Sequence, residues 1–324
     1  MRLGFLTHVQ GTDAYRNAQE LFVVADELGF DVGWVAQHHA PLQGGGLSSP
    51  WPFLAYAAAR TQRIRLSTAV TILPLEHPLR LAEDVAVVDT LSGGRVEIGV
   101  SSGSGPEEYA AFGVDVERKR ELTTEGLDVL RRALAGEEVG APGFTIQPPV
   151  ATDFTDRIWQ GIFSAAGARF AAQAGANLLL NRATYGYEEP TDVVQRVWAD
   201  EFLAAWDKPH APRIGLSRFV FPAKDKRTAL AQIEDGLNHA AAGFVARGTF
   251  PAGLSVEDYL FRFHAFYGHP DEIVEQLRRE RVLPVATDLI TQFNPGVPEF
   301  GAAVEALELI AKEVAPALGW SPAI

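Results

Sequence analysis

Two adjacent histidines, His38 and His39, are the first residues in the chain that suggest chemistry, because an imidazole titrates near neutral pH and can give or take a proton. They follow an apolar run, Val32–Gln37, that reads as extended, and successive side chains on an extended segment point to opposite faces. One metal ion therefore cannot take both rings. No His-Glu-x-x-His pattern or carboxylate ladder occurs, so no metal site is expected. His38 is the candidate acid or base. His39 reads as a structural neighbour, His77 before Pro78 as a helix-start residue, and Gln37 as a backbone partner.

Two serine patterns compete for a role. Gly99-Val100-Ser101-Ser102-Gly103 satisfies G-x-S-x-G, and Gln43-Gly44-Gly45-Gly46 is loosely like the glycine-rich oxyanion loop of hydrolases, so an α/β-hydrolase with Ser101 as nucleophile is a rival reading. That elbow needs a helix directly behind the serine. Gly103, Gly105 and Pro106 instead delay any helix to about residues 106–112. Ser164-Ala165-Ala166-Gly167 is a different case: Ser164 is placed to cap a helix whose free N–H groups and dipole favour a phosphate.

The elements that must position these groups follow a repeating order. A short β-branched run precedes an amphipathic stretch, beginning with Arg2–His8 and the helical spacing of Ala18, Leu21, Phe22, Ala25 and Leu28 before Gly29. Further strands are expected at 32–37, 64–73, 95–100, 158–163, 177–180, 213–221 and 285–292. Helices between them include one opened by Pro78, one over 118–135, one over 165–174 and one over 191–206. A segment of about 101–157 is longer than a βα connection needs and reads as an insertion. An aromatic-rich excursion through Phe250 and Phe266 precedes a helix over 270–281, and a last helix buries Val304, Leu307, Ile310, Ala311 and Val314. Eight strands alternating with helices over 324 residues predict a (β/α)8 TIM barrel, an α/β fold, in one domain.

Composition narrows the chemistry. Asp+Glu number 41 against Lys+Arg 28, a formal charge of −13, which disfavours general binding to nucleic acid or an anionic membrane. With no cysteine, thiolate nucleophiles, disulfides and Cys-ligated metal or iron–sulfur centres are excluded. The first residues run straight into an apolar strand, and no 18-residue apolar run occurs, so a cytoplasmic protein is expected. At the C-terminal strand ends, where a barrel keeps its site, stand His8, His38, Thr71, Ser101, Ser102, Ser164, Arg182, Phe221 and Gln292. Trp34, Trp51, Phe5, Phe163, Phe221 and Phe293 are candidates for an aromatic mouth, with core packing as the alternative for most of them.

Several long motifs, in order, carry a family resemblance over nearly the whole chain. Gly29-Phe30-Asp31 leads to Trp34-Val35-Ala36-Gln37-His38-His39. Thr68-Ala69-Val70-Thr71-Ile72-Leu73-Pro74 runs through His77-Pro78 to Ala82-Glu83-Asp84, followed by Leu91-Ser92-Gly93-Gly94-Arg95 with Gly99. Gly268-His269-Pro270 precedes Asp271-Glu272, and the terminal helix ends in Lys312-Glu313-Val314-Ala315-Pro316. Together these resemble the bacterial luciferase-like flavin monooxygenases. The resemblance implies a TIM barrel that binds FMN, usually reduced FMN (FMNH2) from a separate flavin reductase, and a homodimer. By it, Ser164, Ala165 and Gly167 would hold the phosphate, Ala69, Val70 and Thr71 would pass behind the flavin with a cis Ala69–Val70 bond, and Ser101 and Ser102 would complete the cofactor site. His38 matches the luciferase histidine assigned to catalysis, and Phe5, His8, Trp34, Arg182 and Gln292 are the candidate substrate pocket.

Three departures mark this sequence. Gln37 replaces a common glutamate, Ser101-Ser102 replace Cys-Arg, and Arg182 stands where luciferase carries a tryptophan; light emission is therefore not expected. The chemistry would be activation of O2 at the C4a carbon of reduced flavin and transfer of one oxygen to a small organic substrate, in a site that excludes water and supplies a proton. The nearest alternative keeps the fold but uses the deazaflavin F420 for hydride transfer. A non-catalytic flavin-binding relative is another alternative. No nicotinamide fingerprint follows the first strand.

Overall fold

The computed structural model describes residues 1–9, 13–39, 46–103 and 105–322. Along them run β1 (Arg2–Thr7), α1 (Ala14–Glu27), β2 (Val32–Val35), α2 (Pro50–Arg60), β3 (Arg65–Thr68), β4 (Thr71–Ile72), α3 (Pro78–Ser92) and β5 (Ile98–Ser101). Next come α4 (Pro106–Ala111), α5 (Lys119–Leu134), β6 (Ile158–Ile162), α6 (Ala165–Ala174), β7 (Asn177–Leu180), α7 (Thr191–Ala205) and β8 (Ile214–Pro222). The chain ends with α8 (Lys226–Ala246), α9 (Val256–Arg262), β9 (Ala265–Gly268), α10 (Pro270–Arg278), β10 (Asp288–Gln292) and α11 (Phe300–Leu309). Proline opens α2, α3, α4 and α10, where a missing N–H costs nothing. Left-handed Gly93 and Gly175 close α3 and α6. Among the described residues, no helix is long and apolar enough to cross a membrane.

The strands pair in the order β3-β2-β1-β10-β8-β7-β6-β5-β4, all parallel. A bridge between Leu66 of β3 and Val96, just ahead of β5, closes the ring, and Thr68 Oγ1 donates to the Gly99 carbonyl at 2.7 Å. β3 and β4 are one stave, interrupted at a cis Ala69–Val70 bond, as the resemblance implied. The result is the expected TIM barrel. One strand escaped the sequence reading. β9 pairs with Phe219–Pro222, the part of β8 that runs on past the end of its pairing with β10. Its residues, Ala265-Phe266-Tyr267-Gly268, carry no alternation that would announce a strand.

Strand pleat sorts the side chains between barrel interior and helix layer. Leu6, Val32, Trp34, Ala36, Trp159, Leu179 and Ile290 form the inner cluster, with Trp34 and Trp159 edge-to-face at 5.6 Å. Below them, Glu97 takes Arg2 and Arg65, each at 2.7 Å, and the Trp159 indole N–H, while Asp288 takes Arg2 and Arg213. That ionic plug occupies the N-terminal end, so the C-terminal end is left for a site.

Packing corrects the expectations for four of the aromatic residues. Phe5 points out of the barrel and packs on Phe22 (5.0 Å) and Phe30 (5.9 Å), so it cannot line a substrate pocket. Trp51 likewise belongs to the helix layer. Phe163 is 52% exposed and fills no barrel layer. Trp34 does point inward but is wholly buried in the inner cluster, below the mouth.

Candidate active site

His8, just past β1, and His38, past β2, lie with their rings nearly parallel and 6.3 Å apart. β1 and β2 are neighbours in register, which places the two strand ends side by side. Burial holds the His8 imidazole well below the ordinary histidine range, helped by the charges of His38 and Arg182, and its Nδ1 has no partner. Burial also lowers His38; nearby Glu108 opposes this, while His39 and Arg182 reinforce it. Both rings are therefore neutral at pH 7, able to accept a proton or donate one hydrogen bond. His39 faces elsewhere: its ring meets Phe112 at 4.4 Å, and its backbone N–H donates to Glu108 at 2.7 Å. The opposite orientation of the two histidines follows the extended geometry of the segment. His77 is exposed at the start of α3.

Gln37 has a larger role than backbone pairing. Its side-chain oxygen accepts from the Ile72 N–H (2.7 Å), while its amide nitrogen donates to the Ser48 carbonyl (3.1 Å) and to Glu76 (2.7 Å). A glutamate could not donate those two bonds. The amide ties the end of β2 to β4, steadying His38 next to it.

One side of the mouth is made of small residues. Ala69 and Val70 cover the inner cluster, and a Cβ added at Gly161 would sit 2.9 Å from Val70 and 3.3 Å from the Ser101 Cβ. Gly161 is therefore what lets β6 pack this closely on Val70 and Ser101. The partly exposed Ala69 and Val70 form a small-residue ledge next to Gln37 and His38, the Gln37 N–H donating to the Val70 carbonyl at 3.1 Å. Ser164 caps α6 as expected, accepting from the Gly167 N–H at 3.1 Å, with Ala165 as the first helical residue. The amides of Ala165 and Ala166 are free for an anion. The Ser102 carbonyl accepts from the Tyr109 hydroxyl just past the end of β5. Thr71 is different: it is buried and its hydroxyl donates to Thr68 Oγ1 at 3.2 Å, so it braces the stave. Gln292 donates to Ser217 at 2.6 Å and keeps a buried, unpartnered carbonyl oxygen.

Arg182 completes the cluster beyond β7, close enough to both histidines for its charge to depress them. Its guanidinium lies 5.8 Å from the Phe263 ring. Phe263, Tyr185, Phe244 and Phe250 form an aromatic group with Phe219 and Phe221 above β8, and Phe293 meets Phe221 edge-on at 5.5 Å. Behind Arg182, Gln195 and Arg218 both donate to the Asn181 carbonyl, at 2.6 and 3.3 Å. Arg218 is itself held by Glu280, with His264 on the same carboxylate at 2.8 Å. Sequence reasoning missed Arg218, Glu280, Tyr185 and Phe263. A lone arginine in the apolar run 214–222 was a usable signal, since a charge buried in a strand needs a partner.

The hydrolase reading fails on this geometry. Ser101 ends a stave of a closed barrel, its Oγ accepts from the Gly103 N–H at 3.4 Å, and α4 starts only at Pro106. Among the described residues no imidazole bonds to it. Residues 43–45 of the glycine-rich loop lie outside the described residues.

Residues 1–287 match the family described as luciferase-like monooxygenase. The chain belongs to the luciferase-like monooxygenases. A 4-hydroxyprotoasukamycin monooxygenase of Streptomyces nodosus subsp. asukaensis is 43% identical over 37% of this chain and 32% of its own length. The match thus spans well under two thirds of that relative. Limonene 1,2-monooxygenase of Rhodococcus erythropolis is 29% identical over 92% of this chain and 80% of its own. Among solved structures, monooxygenase RslO1 of Streptomyces bottropensis superposes with a TM-score of 0.82 at 26% identity, covering 98% of this chain and 100% of that one. Two more distant structures share the fold. One is the oxygenating constituent of 3,6-diketocamphane monooxygenase of Pseudomonas putida in complex with FMN (TM-score 0.75, 17% identity, 98% of each chain). The other is the F420-dependent tetrahydromethanopterin reductase of Methanopyrus kandleri (TM-score 0.71, 19% identity, 97% of this chain and 98% of that one).

Proposed function

We propose that this luciferase-like monooxygenase uses reduced FMN, supplied by a separate flavin reductase, to transfer one oxygen atom from O2 to a small organic substrate. The observation that carries the reading is the half-buried His8–His38 pair, rings 6.3 Å apart at the mouth, next to the small-residue ledge of Ala69 and Val70 that covers the inner cluster. A planar redox ring would rest on that ledge, and the capped N-terminus of α6 at Ser164, Ala165 and Gly167 suits its phosphate. Bound reduced FMN would supply the electrons that activate O2.

The chain's own residues do the rest. The aromatic group around Phe219, Phe221 and Phe263 excludes water from the mouth. His38, neutral at pH 7, takes or returns a proton near the reacting oxygen. Gln37 and the backbone bond from the His38 N–H to Leu47 at 2.9 Å hold that imidazole in place. Exposed Tyr56, Val87 and Leu91 on the packed α2–α3 pair offer a face for a homodimer, which analytical ultracentrifugation reads directly.

The test is a titration of the pure protein with reduced FMN and with F420, followed by spectroscopy as O2 is admitted. Tight binding of reduced FMN and a transient oxygenated flavin spectrum support the reading. Tight binding of F420 with no oxygen-dependent spectrum replaces it with hydride transfer. Binding of flavin without any reaction with O2 makes the protein a non-catalytic relative.

A further inference from the structure

Interior arginines of this barrel are paired: Arg2 and Arg65 with Glu97, Arg213 with Asp288 and Arg218 with Glu280. Arg182 is the exception. Among the described residues its guanidinium forms no ion pair, its buried Nε has no partner, and it reaches only the uncharged Tyr185 hydroxyl. The groups around it are uncharged or committed. His8 and His38 are held neutral, Tyr185 and Phe263 are aromatic, Glu280 is bound to Arg218 and His264, and Glu108 takes the His39 N–H. A cation left without a counter-charge in such surroundings is costly, and the cost is relieved when an anion docks.

We propose that Arg182 receives an acidic group of the substrate, so that the substrate class is an organic anion: a carboxylate, or an acidic phenol or enol, on an apolar body. The guanidinium's planar fork matches two oxygens of a carboxylate, and Phe263, its ring 5.8 Å from the guanidinium and edge-to-face with Tyr185, provides apolar surface beside it. Nearby His8 and His38 add no competing charge. The inference rests on the oxygenase reading only in placing the substrate at this mouth.

Benzoate, 4-hydroxybenzoate and 2-naphthoate, each against its own amide, are titrated by calorimetry into the wild type, Arg182→Gln and Arg182→Lys. Oxidised and reduced FMN are titrated into the same proteins, with far-UV circular dichroism as the folding check. At least one acid is expected to bind the wild type tenfold or more tightly than its amide. Arg182→Gln reduces that preference below twofold, Arg182→Lys keeps part of it, and FMN affinity changes less than threefold. Acids and amides that bind alike, or do not bind at all, overturn the proposal. So does an Arg182→Gln protein that keeps the acid preference but loses flavin affinity tenfold, since the guanidinium then serves the cofactor. Acid preference in a protein that binds no flavin would instead sink the proposed function and leave the anion site standing.

Discussion

Replacing Glu280 with glutamine removes one charge from a fully buried pair while keeping shape, and its effect can be sized in two ways. Burial pushes the Glu280 carboxyl up, but the Arg218 charge and hydrogen bonds from His264 and Arg218 outweigh it and hold the group at about 2 against an ordinary 4.5. That difference corresponds to roughly 3 kcal/mol of native-state stabilisation at neutral pH. Breaking a buried pair from one side costs about 3–5 kcal/mol, because Arg218 would stay buried and unpaired. The two figures agree. A carboxyl held low in the folded state stabilises above its unfolded value and loses that contribution as pH falls from about 5 toward 2. Urea unfolding followed by tryptophan fluorescence should therefore show Glu280→Gln about 3 kcal/mol less stable than wild type at pH 7, with the gap narrowing steadily below pH 5. Because Arg218 also donates to the Asn181 carbonyl next to Arg182, the variant should weaken binding of acids at the mouth as well. A variant within 1 kcal/mol of wild type at pH 7, or a gap that does not change with pH, would refute the reasoning.

Other substitutions test the mouth piece by piece. Gly161→Ala puts a methyl group 2.9 Å from Val70, which must shift; an overpacking cost of about 1–3 kcal/mol is expected in urea unfolding, with at least tenfold weaker flavin binding in fluorescence titration because Val70 is part of the ledge at the mouth. Ser164→Ala removes the α6 cap and should cost about 1 kcal/mol in thermal unfolding, with weaker binding of FMN than of riboflavin as its signature. His38→Ala should lower turnover and spare flavin affinity; a collapse of binding would make His38 a scaffold residue. NMR titration should find both His8 and His38 protonating below the ordinary 6.5, and Arg182→Gln should move both upward, since one of the charges holding them down is gone. By the same linkage, a histidine held low in the folded state makes stability fall as pH drops below about 6.5, where the unfolded chain binds the extra proton.

Local chemistry written into the sequence determined most of the scaffold. Pro50, Pro78, Pro106 and Pro270 start helices, Gly93 and Gly175 stop them, and β-branched runs between them become staves, all from preferences that act within a few residues. The family motifs, including His38 and the Ala69–Val70 bond, were legible for the same reason: each is a short contiguous string. The pleat that sends Phe5 outward and its neighbours Leu6 and His8 inward was also local, though its phase was fixed only by what packed on the far side. Barrel closure decided the rest. It brought residues 8, 38 and 182 to one rim, turned Arg218 toward Glu280, and left Arg182 without a carboxylate. No string of neighbouring residues encodes such meetings, because whether a charge finds a partner depends on the dielectric and the groups that a ring of strands gathers from distant parts of the chain.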